Sequence, residues 1–241
     1  MPLASAAAAV RSSAMRYLLA ALALTPAALH AEERRVMVTS FDRVRVEGPF
    51  SVDIKSGGSP GVTTRGEARA LDGVEIRVED RTLVIRPSPN GWGGWPGDRT
   101  EAASVSVTAP RLVDLRVSGS GSARVDRLQG LEVGVSLTGS GRVEVARIEA
   151  DRLEGVLAGS GALTLGGTAR TARLANTGVG TIEADGLAVR DLTLSSESAG
   201  DTRAAASETA RVVATGTGSV IVTGNAACTS AGTASIRCGR E

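Results

Sequence analysis

The sequence predicts an all-β protein folded as a parallel β-solenoid, and three observations carry this prediction. A Gly-centred turn recurs at a nearly constant interval through the second half of the chain. Apolar and polar residues alternate on both sides of nearly every turn. The 241-residue chain is 42% hydrophobic but only 2% aromatic, and it contains 30 glycines, a composition that suits narrow β layers joined by tight turns.

The repeated turn reads Gly-Ser-Gly in its first three copies and varies in later ones, as in Thr177-Gly-Val-Gly-Thr181 and Ser198-Ala-Gly-Asp201. One glycine of each turn sets a register with steps of 20, 20, 19, 20 and 18 residues: Gly121, Gly141, Gly161, Gly180, Gly200 and Gly218. A fixed period of this size is typical of a solenoid, in which each unit buries its apolar side only against the next.

The residues between the turns predict strands. Before Gly141 the apolar residues occupy every second position, Leu131, Val133, Val135 and Leu137. This period of two indicates a strand with one buried face. Each coil is therefore expected to contain two short strands around a Gly turn, and equivalent strands would stack in parallel about 4.8 Å apart. Glycine is favoured at the reversal because a positive φ costs it nothing.

Residues 36–110 are strand-like but less regular than residues 111–241. Five segments divided by Gly, Pro or Asp turns read as strands: 41–46, 50–54, 74–78, 82–86 and 104–108. No helical window of useful length appears. This half is either the first coils of the same solenoid or a small β-sandwich that caps it, and the lack of a linker after Pro110 favours continuity.

Residues 1–31 have the organisation of a secretory signal peptide. Arg11 and Arg16 precede an apolar run that is far shorter than the roughly 20 residues of a membrane span. Export with cleavage is the prediction, and an uncleaved N-terminal anchor is the alternative. Translation could start at Met1 or Met15. A lipoprotein anchor is not indicated, because no cysteine lies near the cleavage point. Residues 32–241 are expected to form a single solenoid domain without a stable membrane span.

Removal of the signal limits the available chemistry. The single histidine, His30, and the single tyrosine, Tyr17, leave with it, and Lys55 is the single lysine. Catalysis by Ser-His-Asp or Cys-His groups and metal sites built on histidine are therefore excluded if cleavage occurs. The formal net charge of +1 disfavours nucleic acid as a partner, and no cofactor or metal is expected.

A row of outward positions lies three residues after each register glycine. These positions hold Arg124, Glu144, Thr164, Glu183 and Arg203. Stacking would place Arg beside Glu at one end and Glu beside Arg at the other, which favours this register modestly. An ordinary solvated face explains the same charges equally well.

Cys228 and Cys238 lie on the two strands that flank the last turn, at positions where the alternation points side chains inward. In an oxidising compartment such a pair is most simply a disulfide, and it would close a loop of about ten residues and tie the final coil. Redox catalysis is the alternative, but the spacing is not Cys-x-x-Cys.

The Gly- and Pro-rich segment 87–98 contains both tryptophans, Trp92 and Trp95. Exposed indoles could stack on sugar rings, which makes these two residues candidate ligand-binding residues. The alternative, which is favoured, is that the loop folds back over the core or over an open solenoid edge.

Three features of the sequence carry a family resemblance: the start Phe-x-x-Val-x-Val-x-Gly-Pro-Phe from Phe41 to Phe50, the segment Leu83-Val-Ile, and the serial Gly-Ser-Gly turns. In these features the chain resembles the putative autotransporter adhesin family, the head GIN-domain proteins. The resemblance covers residues 36–238. It implies a bacterial, right-handed parallel β-helix with a proposed role in cell adhesion and no catalytic residues to carry over. Ser198-Ala-Gly200 and Ser230-Ala-Gly232 depart from the turn pattern, which leaves the last coil boundaries open.

These observations favour an exported, non-catalytic structural or adhesive module, either periplasmic or at the cell surface or secreted. Its expected partner is a cell-surface protein or a glycan, and a homo-oligomer is left open. The alternative is a cell-envelope protein that binds or processes polysaccharide. Such chemistry needs acids held together in a cleft, whereas Asp126, Glu144, Glu183 and Asp201 are scattered over the coils.

Overall fold

A computed structural model describes residues 32–89 and 103–239. It is 72% strand and 3% helix and contains a β-solenoid of about six turns, so the predicted fold class is confirmed. The elements are β1 Glu32–Val36, β2 Arg43–Glu47, β3 Ser51–Ser56, β4 Gly61–Gly66, α1 Ala68–Asp72, β5 Val74–Glu79, β6 Thr82–Pro87, β7 Ser104–Ala109, β8 Asp114–Gly119, β9 Ser122–Gly139, β10 Arg142–Gly159, β11 Ala162–Gly178, β12 Thr181–Ala184, β13 Leu187–Ser198, β14 Thr202–Ala205, β15 Thr209–Ala214, β16 Ser219–Thr223, β17 Ala227–Gly232 and β18 Ser235–Gly239.

The regular coils stack in parallel, with each residue beside its counterpart one repeat away. Val143 is the register partner of Ala123 on one side and of Leu163 on the other. The prediction of two short strands per coil is wrong for β9, β10 and β11, which are single strands of 17 or 18 residues. At the polar turn after Val145 the pairing with β9 skips one residue and resumes between Arg147 and Arg127. The strands are therefore interrupted only at the Gly turns that separate them. Later coils do divide, as β12 and β13 show.

Aliphatic side chains fill the space between the strand layers. One row of register partners contains the fully buried Leu137 and Leu157, and the buried side chains form one core cluster that runs from Phe41 to Val222. The alternation predicted before Gly141 holds for Val133, Val135 and Leu137. It fails at Leu131, which is 76% exposed because it lies at the corner rather than on a core-facing strand.

The two glycines in each of the first four turns differ in backbone conformation, although both lie close to the backbone of the preceding coil. In the first copies the positive φ lies at the earlier glycine, for example 119° at Gly139, where a side chain would strain the backbone. The register glycine, such as Gly141, has no positive φ. It is confined by stacking, because an added Cβ would lie closer than 3.0 Å to the carbonyl oxygen of Gly121 in the preceding coil.

The five strands predicted in residues 36–110 are present as β2, β3, β5, β6 and β7. β2 pairs in parallel with β6 and β8, and β3 pairs in parallel with β7 and β9. The spatial order was not predicted, because the β2–β3 layer lies between the β6–β7 layer and the regular coils. The antiparallel strands β1, β4 and β5 complete this end of the solenoid.

Candidate binding surface

The acidic residues considered for catalysis serve contacts between coils. Asp126 Oδ1 accepts a hydrogen bond from the Ser56 backbone N–H at 2.8 Å, and Glu183 Oε2 accepts one from the Thr164 hydroxyl at 3.5 Å. Asp201 Oδ1 accepts from both the hydroxyl and the backbone N–H of Ser219, at 2.7 and 3.1 Å. These acids hold neighbouring coils in register rather than meeting in one cleft.

The hydrogen bonds to Asp201 stabilise its ionised form. The Ser219 hydroxyl and then the Ser219 backbone N–H hold the pKa of this carboxyl below its ordinary value, against a smaller opposing effect of desolvation. In another contact between coils, the Glu208 carboxylate raises the pKa of the Arg190 guanidinium through hydrogen bonds and charge. Both effects belong to contacts between adjacent coils.

Replacing Asp201 by asparagine is expected to remove part of the acid sensitivity of the fold. The lowered pKa means that the ionised carboxylate stabilises the folded state above its ordinary pKa of about 3.9, and that this stabilisation is lost as the pH falls through the lowered value. The melting temperature of the native chain should therefore fall further between pH 7 and pH 2 than that of Asp201→Asn, as followed by circular dichroism. Ser219→Ala removes the main donor and should also reduce the acid-induced fall, so equal falls in all three proteins would contradict the assignment.

The outward charged row has the predicted neighbours. Arg124 Nε lies 3.3 Å from Glu144 Oε2, with the two side chains 65% and 50% exposed. Glu183 and Arg203 are register partners, but within residues 32–89 and 103–239 their charged groups form no ion pair. Exposed pairs of this kind contribute little to stability, so the row supports the stacking register only weakly.

A shallow groove of about 300 Å³ follows the stacked Gly-Ser-Gly turns. Ser120, Ser140 and Ser160 lie along it at equivalent positions of three successive coils, and all three are exposed. The turns are fixed to one another, since the Ser140 N–H donates to the Gly119 carbonyl at 3.0 Å and the Ser160 N–H donates to the Gly139 carbonyl at 2.9 Å. The groove, hereafter the turn-edge groove, therefore presents a regular row of hydroxyls on a rigid backbone.

Cys228 and Cys238 form the predicted disulfide, with their Cα atoms 6.4 Å apart. Cys228 is the register partner of the buried Ala210, and Cys238 is the partner of the buried Val222. Both cysteines thus keep inward parity, but they are exposed because β17 and β18 form the last coil of the described chain.

Trp92 and Trp95, the candidate sugar-stacking residues, lie outside the described residues, and their role stays a prediction. Within the ranges 32–89 and 103–239, no group of three or more His, Cys, Asp or Glu side chains could hold a metal ion. No helix of this described part is long and apolar enough to cross a membrane.

A buried polar cluster was missed by the sequence analysis. Asn176, which is 1% exposed, is the register partner of Leu157, and its Nδ2 donates to the Gly180 carbonyl and to the Thr202 hydroxyl, both at 3.0 Å. Ser198 occupies the position at which the preceding turn has Gly178, and its hydroxyl accepts a hydrogen bond from the Gly200 N–H at 3.0 Å. The sequence does indicate this burial, because Asn176 lies two residues after Leu174 and therefore on the same inward face of the strand.

The fold and the turn-edge groove define a β-solenoid protein with an extended polar surface along its turns. The chain belongs to the family described as putative auto-transporter adhesin, head GIN domain, whose model matches residues 40–226.

Three solved structures share the fold at about one-fifth sequence identity. A putative adhesin from Bacteroides fragilis has a TM-score of 0.80 at 20% identity, covering 88% of this chain and 98% of that one. A putative lipid binding protein from Parabacteroides distasonis has a TM-score of 0.69 at 20% identity, with 89% and 98% covered. A putative adhesin from Parabacteroides merdae has a TM-score of 0.66 at 18% identity, with 88% and 96% covered. No curated protein matches the chain.

Proposed function

We propose that the chain is an exported, non-catalytic adhesive or structural module that binds a cell-surface glycan or protein through the turn-edge groove. The observation that carries this proposal is the row of exposed hydroxyls of Ser120, Ser140 and Ser160 on stacked, hydrogen-bonded turns. Family membership supports a surface role, because the family is described by adhesion.

The rigidity of the groove supports a binding role. Repeated hydroxyls can each donate and accept a hydrogen bond, so the row suits a ligand with polar groups along its length. The backbone of each turn is already held by the preceding coil, and binding would therefore lose little conformational entropy. Solenoids commonly use such extended surfaces for binding.

Export is supported by two independent features of the sequence and structure. Residues 1–31 have the organisation of a secretory signal, and the Cys228–Cys238 disulfide suits an oxidising compartment. The protein would then act in the periplasm, at the cell surface or after secretion.

Binding of the labelled protein to intact cells tests the use of the turn-edge groove. Ser140→Arg places a long charged side chain in the middle of the groove, and it is expected to weaken cell binding about tenfold or more, or by about 1.4 kcal/mol or more. Ser195→Arg is the matched control, because Ser195 is also exposed but lies on the outer face of β13. Equal binding by Ser140→Arg and the native chain would contradict the proposal, provided that circular dichroism shows both to be folded.

Polysaccharide binding or processing in the cell envelope is the second candidate, and the open groove with its hydroxyls favours the binding form of it. Processing would require an acid and a base at one bond of the substrate, whereas Asp126, Glu183 and Asp201 accept hydrogen bonds between coils. Unchanged cell adhesion in a deletion strain, together with altered wall or capsule polysaccharide, would favour this second candidate.

A further inference from the structure

A small pocket of about 70 Å³ lies where three distant segments of the chain meet. Its lining includes Ser56 at the end of β3, Arg111 in the segment before β8, and Arg127 and Gln129 at the corner of β9. We call it the arginine pocket. It is separate from the turn-edge groove, whose lining residues are different.

The arginine pocket concentrates positive charge. Within the described part of the chain, neither Arg111 nor Arg127 forms an ion pair, and Arg147 is the register partner of Arg127 in the next coil. Arg147 has a distant partner, with its Nη1 3.8 Å from Glu149 Oε1. Like charges on adjacent strands destabilise their pairing, and a bound anion would offset this repulsion.

The backbone around the arginine pocket is held in place by its own hydrogen bonds. The Ser56 hydroxyl donates to the Arg127 carbonyl at 2.6 Å, and the Gln129 N–H donates to the Leu112 carbonyl at 2.9 Å. The nearby Asp126 carboxylate does not line the pocket, and its Oδ1 accepts from the Ser56 N–H. Among the lining residues, the side chains of Arg111, Arg127 and Gln129 form no hydrogen bond or ion pair within the described part of the chain, so they remain as donors for a ligand.

We propose that the arginine pocket binds one oxyanion group, a carboxylate, sulfate or phosphate, carried by an acidic glycan. A planar guanidinium offers paired N–H donors that match such a group, and the Gln129 amide offers further donors. The volume admits a single small anionic group rather than a sugar ring. This inference deepens the proposed function, because it assigns an acidic class of glycan to a surface module.

The near-neutral chain is compatible with such a pocket. A chain this close to neutrality gives no long-range attraction for polyanions, so recognition depends on contact in the pocket. Binding should weaken as salt is raised, because added ions compete for the guanidinium groups.

Titration of the purified full chain, followed by NMR, tests the arginine pocket. Three probes are compared: inorganic phosphate, an oligogalacturonate and a neutral oligosaccharide of equal length. We expect saturable shifts of the Arg111, Arg127 and Gln129 side-chain signals with phosphate and oligogalacturonate, and none with the neutral sugar. Tighter binding of the oligogalacturonate than of phosphate supports a glycan ligand, whereas equal affinity overturns that assignment in favour of a free anion.

Variants separate the arginine pocket from general charge effects. Arg127→Gln should weaken oligogalacturonate binding at least tenfold, and Arg127→Lys should weaken it less because the charge remains without the paired donors. Arg173→Gln, which removes another exposed arginine from the outer face of β11, should have no effect. Equal effects of Arg127→Gln and Arg173→Gln, or no saturable shift, would overturn the inference. Loss of cell binding by Ser140→Arg is measured independently, so the proposed function can stand if the arginine pocket fails.

Discussion

Replacing Gly141 by alanine is expected to lower the free energy of unfolding by about 3 kcal/mol, near the upper end of overpacking penalties. The added Cβ would lie closer than 3.0 Å to the Gly121 carbonyl oxygen. That oxygen cannot swing away, because it accepts the Arg142 N–H at 3.0 Å, while the Gly141 carbonyl accepts the Ala162 N–H at 3.1 Å. Relief of the clash therefore requires the separation of two coils.

Gly186→Ala is the matched control for Gly141→Ala. Gly186 also lies between strands of the regular coils, but an added Cβ would have its nearest neighbours at 3.8 Å and its φ is not positive. Thermal unfolding followed by circular dichroism should show a fall of about 10 °C for Gly141→Ala and little change for Gly186→Ala. Similar melting temperatures for the two variants would mean that the register glycine is chosen for some reason other than stacking.

The regular coils were predictable because they repeat a local rule. Apolar alternation fixes which face of a strand is buried, and the constant interval between register glycines fixes the offset between coils. The conformational role of each glycine was not predictable, because the sequence shows two glycines per turn without showing which has the positive φ. Leu131 was assigned to the core because alternation continues past the point where the chain turns a corner.

The N-terminal layers show the limit of local patterns. All five expected strands form, but alternation within β2 does not indicate that β6 and β8 lie on either side of it. The spatial order of these strands depends on contacts between segments about 40 and 70 residues apart. Such contacts produce no periodic pattern in the sequence. The short antiparallel strands β1 and β4 lack a strong apolar alternation, and both were missed.

The candidate surfaces were predictable to different degrees. The serines of the turn-edge groove belong to the repeated motif, so the sequence located them but gave them a geometric role only. The arginine pocket could not be located, because Ser56, Arg111 and Arg127 meet only through the spatial order of the N-terminal layers. Asn176 was accessible to sequence reasoning, since a polar residue at inward parity among leucines already indicates a buried hydrogen-bonding group.

The double variant Cys228→Ser, Cys238→Ser is expected to destabilise the last coil by about 2–3 kcal/mol while leaving the central coils unchanged. The crosslink closes a short loop between β17 and β18. Its loss increases the conformational entropy of this segment in the unfolded state. The effect should be local because each coil of a solenoid contacts only its neighbours. The paired amides of β17 and β18 should then exchange with solvent faster, while those of β9 to β11 keep their protection.

Ser230→Ala is the control for the double cysteine variant, because it changes a polar side chain of the same strand and keeps the crosslink. Native-state hydrogen exchange resolves the two regions and reports opening free energies coil by coil. Faster exchange in all coils would show that the last coil supports the whole stack, in contradiction to nearest-neighbour stability. Unchanged exchange in β17 and β18 would show that strand pairing with β15 and β16 alone holds the end of the solenoid, and that the disulfide is dispensable for its stability.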